Sequence, residues 1–218
     1  MITPERFRKI REMLFHRQPD LTVVMDNVNK AHNLSAIIRS CDVVGIGQLQ
    51  AVSYRKYIHA KQNNAAAGAS KWTKLNLYHD IATVYEKLAG DGMQILVATN
   101  KDGCVDFRDI DYTVPTALVV GAEWDGISEE AIKGADHMIA IPMLGMVESL
   151  NVSVATAVIL FEAQRQRENK GMYREMQLEQ ECYKRMLFEA TYPRLSRELK
   201  AAGSSYPQLD EHGNIVMK

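Results

Sequence analysis

Three short stretches of this 218-residue chain gather the side chains from which a reaction could be built. In "DNVNKAHNLSAIIR" Asn33 and Arg39 stand close together, and in "GAEWDGIS" Glu123 sits between Gly121 and Gly126. The third, "IPMLGMVESLNVSVATAVILFEAQR", crowds Glu148, Ser149, Asn151 and Ser153 between an apolar run and an apolar helix. A helix start needs polar caps because its first N–H groups have no intrahelical partner, so one Ser or Asn is ordinary and several in succession point to a site. Each stretch alone has a plain reading, with Asn33 as a cap, Arg39 as half of an ion pair and the glycines as turn formers. Together they place Asn, Arg, Glu, Ser and Gly where backbone groups of Gly-rich turns can grip an adenosine-like ligand.

Those residues need elements to hold them. Thr3 and Pro4 start an amphipathic helix over 4–16, with Phe7, Ile10, Met13 and Leu14 at helical spacing. "LTVVM" (21–25) reads as a buried strand and "SAIIRSCDVVG" as a helix with Ser35 near its start, Asn33 before it and Gly45 beyond its end. "QLQAVSY" (48–54) and "WTKLNLY" read as strands, separated by a loop with one helical turn. Asp80 to Leu88 forms a short helix ended by Gly90, followed by strands at 94–100, 116–123 and 137–143 and a short helix at "SEEAIKGA". Strands that alternate with helices and are apolar throughout predict an α/β sandwich around a parallel sheet, whose ligands collect beyond the carboxyl ends of the strands. The three stretches follow three such ends. Ser149, Ser153 and Ala157 form a small-residue face suited to close packing. Beyond about residue 170 the chain turns polar and helical, and "GSSYPQLDEHGN" reads as a loose tail.

Length and composition predict one globular domain with appendages: a basic helical extension (1–20), a core (21–170) and a helical extension with tail (171–218). No apolar stretch is long enough to cross a bilayer. The N-terminus lacks the apolar segment of a secretory signal, and three separated cysteines fit a reduced, cytoplasmic setting without metal-ligand spacing. The net charge of -1 conceals a bipolar chain. Between Asp42 and Asp80 there is no carboxylate, while Arg55, Lys56, Lys61, Lys71 and Lys74 are cationic; from Glu86 to Glu148 twelve acids face four bases. With "RFRKIR" near the N-terminus, the basic parts offer a surface for a polyanion, although a single charge run is as readily a solvated face. The dinucleotide, P-loop and nucleophile-elbow signatures are all missing.

At these same stretches the chain resembles the SpoU, or TrmH, family of RNA 2′-O-methyltransferases within the SPOUT superfamily. "HNLSAIIRSCDVVG" is similar to the first family motif through Asn33 and Arg39, "LVVGAEWDGIS" to the second through Glu123, and the long third stretch to the third through Ser149 and Asn151. The basic N-terminal helix and "RENKGMYRE…LFEATYPRL" resemble the terminal extensions of members that act on the tRNA D-loop. The resemblance implies a parallel sheet sandwiched by helices with a C-terminal trefoil knot, a homodimer, and S-adenosylmethionine as cofactor, leaving as S-adenosylhomocysteine. It implies cofactor contacts at Thr99, Gly121, Ile141, Met143 and Leu150, and a reacting group made by Arg39, Asn33, Glu123, Ser149 and Asn151. The implied reaction is transfer of a methyl group to the ribose 2′-hydroxyl of guanosine 18 of tRNA. Arg39 is assigned there to activate the hydroxyl; because guanidinium groups stay protonated in proteins, clamping a neighbouring phosphate and orienting the hydroxyl asks less of the chemistry.

The RNA contacts expected are Arg8, Arg11, Arg17, His32, Arg55, Arg165 and Arg167. Arg165 and Arg167, at the end of a helix, also suit its dipole. Two other classes remain in view. A non-catalytic RNA-binding module would keep the charge asymmetry without needing the polar strand ends, and a small-molecule α/β enzyme would leave the basic parts unexplained. Within the family, another tRNA position or ribosomal RNA is the alternative substrate.

Overall fold

The computed structural model describes residues 2–53, 72–122 and 126–216. The chain divides into two units, Met1–Gln18 with Gly171–Lys218, and Pro19–Lys170. The larger carries strands β1 (Leu21–Asp26), β2 (Gln48–Val52), β3 (Lys74–Tyr78), β4 (Gln94–Ala98), β5 (Val105–Asp106), β6 (Thr116–Gly121) and β7 (His137–Ala140). Its helices are α2 (Ala31–Val43), α3 (Ile81–Gly90), α4 (Glu129–Lys133) and α5 (Val152–Asn169). All strand pairs are parallel and the order is β3-β2-β1-β6-β4-β7-β5, so β6 lies between β1 and β4.

Side chains alternate across a strand, and that alternation sorts the core into two layers. Val23, Met25, Leu118 and Val120 face Leu34 and Ile37 of α2 and Ile159 and Leu160 of α5. Val24, Val97 and Val119 face Ile81, Val84 and Leu88 of α3 and Ala131 of α4. Every residue of β1 is buried, as a strand covered by helices on both faces requires.

The boundaries differ from expectation in ways that backbone chemistry explains. β7 stops at Ala140, two residues before Pro142, which has no N–H to give a ladder. β4 ends at Ala98, though the Thr99 amide still donates to the Ile139 carbonyl at 3.0 Å. α2 starts at Ala31 after Lys30, which offers no side-chain cap, so Asn33 lies inside the helix and is not its cap. β5, missing from the sequence reading, has only two residues and pairs with β7, too short to show alternation. The loop expected between β2 and β3 falls largely on residues 54–71, outside the described residues.

The smaller unit holds α1 (Pro4–Phe15), α6 (Gln180–Thr191) and α7 (Pro193–Ala201). Thr3 caps α1 through its hydroxyl, and Phe7, Ile10 and Leu14 form the buried face. The C-terminal segment is not loose. Tyr206 stacks on Phe188 with ring centroids 4.7 Å apart, the Tyr192 hydroxyl donates to the Gly213 carbonyl at 2.8 Å, and a Cβ at Gly213 would meet the Phe7 ring at 2.7 Å. The two aromatic anchors account for the order of a polar sequence.

Candidate active site

A cavity of about 410 Å³ opens where β4, β6 and β7 end, within the usual range for small-molecule sites. Thr99 and Asn100 line it after β4, Gly121 and Ala122 at the end of β6, and Ile141 and Met143 after β7. Ser149, Leu150 and Asn151 close it at the entrance to α5. The structure therefore brings Thr99, Gly121, Ile141, Met143 and Leu150 to one cavity together with Ser149 and Asn151. Asn100 and Ile127 are lining residues that sequence reasoning missed.

The walls are apolar where a flat ring could lie, with Val120, Ile139 and Ile159 in the lining, and polar at the backbone. At Gly121 two backbone segments approach closely: a Cβ there would sit 2.3 Å from the Gly126 carbonyl oxygen. The Ala122 and Gly126 amides each donate to the other's carbonyl at 3.0 Å, closing the turn, and Gly126 takes a φ of 67° that favours glycine. Aliphatic surfaces beside close-approaching backbone suit an adenosine-type cofactor, so the donor set and size fit S-adenosylmethionine.

Asn151 organises the junction. It is the cap of α5, its Oδ1 accepting from the Ser153 amide at 2.9 Å and from the Ser153 hydroxyl at 2.6 Å. Its Nδ2 donates to Asn33 Oδ1 at 3.2 Å, which ties α5 to the buried third residue of α2. Ser149 is therefore not the cap, and because it precedes the helix it shares no helical face with Ser153 and Ala157. On the other side, the Asn100 side chain donates to the Glu148 carbonyl, pinning the loop before α5.

Arg39 lies on α2, exposed, and does not line the cavity. Among the described residues it has no hydrogen bond or ion pair, so its cation is free to meet an anion outside the chain. Glu123 and Arg55 lie outside the described residues.

The expected RNA contacts separate by exposure. His32 is exposed, Arg8 is exposed beside Glu12 at 3.8 Å, and Arg11 rests over the Phe7 ring at 6.0 Å. Arg165 is exposed but forks onto Glu162 at 2.7 and 2.8 Å, which holds that carboxyl below its ordinary range. Arg17 and Arg167 are 1% and 0% exposed and present no surface to a phosphate. Arg167 binds Asp20 Oδ1 at 2.6 Å and the carbonyls of Tyr112 and Val114 at 2.8 and 3.1 Å. Its turn of α5 faces inward, so the helix-end position read from the sequence is a structural one.

Comparison with known proteins follows the same lines. Residues 20–161 match the SpoU rRNA Methylase family, and 165–218 match the SpoU rRNA methylase C-terminal family. A tRNA (guanosine(18)-2'-O)-methyltransferase of Escherichia coli K12 is 48% identical over 216 residues, 98% of this chain and 94% of the relative. The crystal structure of a TrmH/SpoU tRNA modifying enzyme of A. aeolicus superposes with a TM-score of 0.81 at 41% identity, covering 87% of this chain and 96% of that one. The SpoU methyltransferase AviRb of Streptomyces viridochromogenes, solved in complex with AdoMet, gives a TM-score of 0.63 at 26% identity over 70% of this chain and 62% of that one. A parallel sheet with its cavity at the strand ends, walled by the second and third polar stretches and bonded to the first through Asn33, belongs to a chain that is a member of the SpoU methylase family.

Proposed function

We propose that the chain transfers a methyl group from S-adenosylmethionine to the ribose 2′-hydroxyl of guanosine 18 in the D-loop of tRNA. The observation that carries this is the cavity itself, whose walls come from the second and third polar stretches while the first is bonded to it through Asn33 and Asn151. The bound cofactor supplies a methyl group on a sulfonium sulfur. Thr99, Gly121, Ile141, Met143 and Leu150 hold it chiefly by backbone and apolar contact, while Ser149 and Asn151 shape the cavity mouth. Arg39 holds a phosphate beside the target nucleotide, so that the 2′-hydroxyl lies in line with the methyl group and its proton leaves to water or to phosphate. Positioning of this kind is the larger part of what the chain contributes. Glu123 belongs to the same reacting group by its place in the second motif.

The tRNA rests on the terminal extensions, residues 1–20 and 171–218, and on Arg8, Arg11, His32, Arg55 and Arg165. The segment between β7 and α5 forms a trefoil knot, and two copies form a homodimer. Support for the dimer is an apolar stripe on α5, with Val154, Val158 and Phe161 at helical spacing and 46%, 37% and 50% exposed, and the loop before α5 also exposes Leu144 and Met146 at 100% and 99%. Monomers seldom leave such a patch in water. No described helix is long and apolar enough to cross a membrane, and the three free cysteines suit a cytoplasmic setting.

The decisive experiment incubates the protein with methyl-labelled cofactor and, in parallel, unmodified tRNA and unmodified ribosomal RNA, then maps the label. Label on the ribose of guanosine 18 is the expected result. Label at another tRNA position or in ribosomal RNA overturns the substrate and leaves the chemistry standing.

A further inference from the structure

We propose that Asp26 is a positioning residue for the cofactor cavity, acting from the opposite face of the sheet. The inference rests on the reading of that cavity as an S-adenosylmethionine site.

Asp26 is the last residue of β1 and only 1% exposed. Its Oδ2 accepts the Ser128 amide at 2.8 Å, and its Oδ1 has no hydrogen-bond partner among the described residues. A buried carboxyl group with one oxygen left without a partner is costly, so its retention asks for a reason. What it does hold is informative. Ser128 follows Gly126 and Ile127, two lining residues of the cavity, and its hydroxyl caps α4 by accepting from the Ala131 amide at 3.2 Å. Asp26 also pairs across the ladder with Gly121, the other end of the same turn. One carboxylate at the end of β1 therefore fixes one end of the turn by a side chain and lies beside the other in register.

The side chain points to the face of α3 and α4: Val24, two residues earlier, packs there, while the cavity is lined by Val120 and Ile159 of the other layer. Asp26 thus reaches the cofactor only through the turn. The residue that follows, Asn27, has a φ of 56°, uncommon outside glycine, and its amide donates to the Val52 carbonyl at 3.0 Å. The chain is bent sharply just after Asp26 while the strand itself stays in register.

The test compares Asp26→Leu with Asp26→Asn, which keeps an acceptor for the Ser128 amide without the charge. Calorimetric titration with S-adenosylhomocysteine should show Asp26→Leu weakened by about tenfold, the factor that loss of one hydrogen bond to a charged group implies, and Asp26→Asn close to the unaltered protein. In steady-state assays Asp26→Leu should raise KM for S-adenosylmethionine, leaving kcat at saturating cofactor and KM for tRNA in place. A purely structural role would lower the melting temperature and leave the affinity of the folded fraction unchanged, which overturns the proposal; equal damage in both variants overturns it too. If Asp26→Leu does not fold, Ser128→Pro and Ser128→Ala decide. Both lack the hydroxyl cap, only the first lacks the amide, and the Ser128 φ of -61° accommodates proline. Weakened binding in Ser128→Pro alone supports the role; equal binding in the pair removes it. Failure of the unaltered protein to bind S-adenosylhomocysteine overturns the cofactor reading itself, and this inference with it.

Discussion

Asn151 Nδ2 donates to Asn33 Oδ1 at 3.2 Å across 118 residues of chain, joining the cap of one helix to the buried first turn of another. The same Asn151 side chain caps α5, so one amide group both starts that helix and ties it to α2, whose Leu34 and Ile37 share a buried cluster with Ile159 and Leu160 of α5. Replacing Asn33 by Leu removes this half-buried hydrogen bond, at a cost of about 0.5–1.5 kcal/mol. Chemical denaturation should show that loss, and S-adenosylhomocysteine titration should show weaker binding as the mouth of the cavity loosens.

Arg39→Ala removes a cation that has no other partner among the described residues. Methyl transfer should fall by at least about a hundredfold, the order of loss expected when a substrate is misplaced by an ångström. S-adenosylhomocysteine affinity should stay within error, because Arg39 does not line the cavity. Lost cofactor affinity would assign Arg39 to a different task.

Gly121→Ala should be far more damaging than its size suggests. The added Cβ meets a backbone oxygen at 2.3 Å, so the turn must open, and overpacking of this kind costs about 1–3 kcal/mol. Titration should show the loss of cofactor binding before unfolding curves show a comparable loss of stability.

Arg167→Ala breaks a buried ion pair and removes a donor from the carbonyls of Tyr112, Val114 and Asp20. A stability loss of about 3 kcal/mol is expected by denaturation. The tRNA affinity of the folded protein should be unchanged, whereas Arg8→Ala should weaken tRNA binding and reduce its dependence on salt.

Asp106 is held at about 2 by hydrogen bonds from the Arg108 side chain and amide. Its folded value lies below the ordinary 3.8, so its contribution is complete above about pH 4 and is lost as pH falls toward 2. Arg108→Ala should remove that increment, lowering stability slightly at neutral pH and not at pH 2, so that the acid-unfolding profile flattens by the same small amount, since the pair is largely exposed.

What was legible in the sequence was what neighbouring residues decide. The alternation of strands and helices is local, and so is the cap at Thr3. The three polar stretches stood out for the same reason. What was not legible depends on distant partners. Arg167 looked like a surface cation until Asp20 and the carbonyls after β5 came within reach. Asn33 looked like a cap because nothing nearby revealed that α2 starts at Ala31. Asp26 attracted no notice, since a lone acid at a strand end reads as a solvated residue; only Ser128, 102 positions away, gives it a task.

The place of β6 between β1 and β4 has a consequence during synthesis. A nascent chain that has not yet emerged past residue 116 carries both flanking strands but lacks the one that separates them. Its two apolar edges are exposed until β6 arrives, and a long-range parallel insertion of this kind closes slowly. The cavity, which needs β7 and the start of α5 as well, is completed later still, so the ligand site forms only after the two exposed edges have been closed by β6.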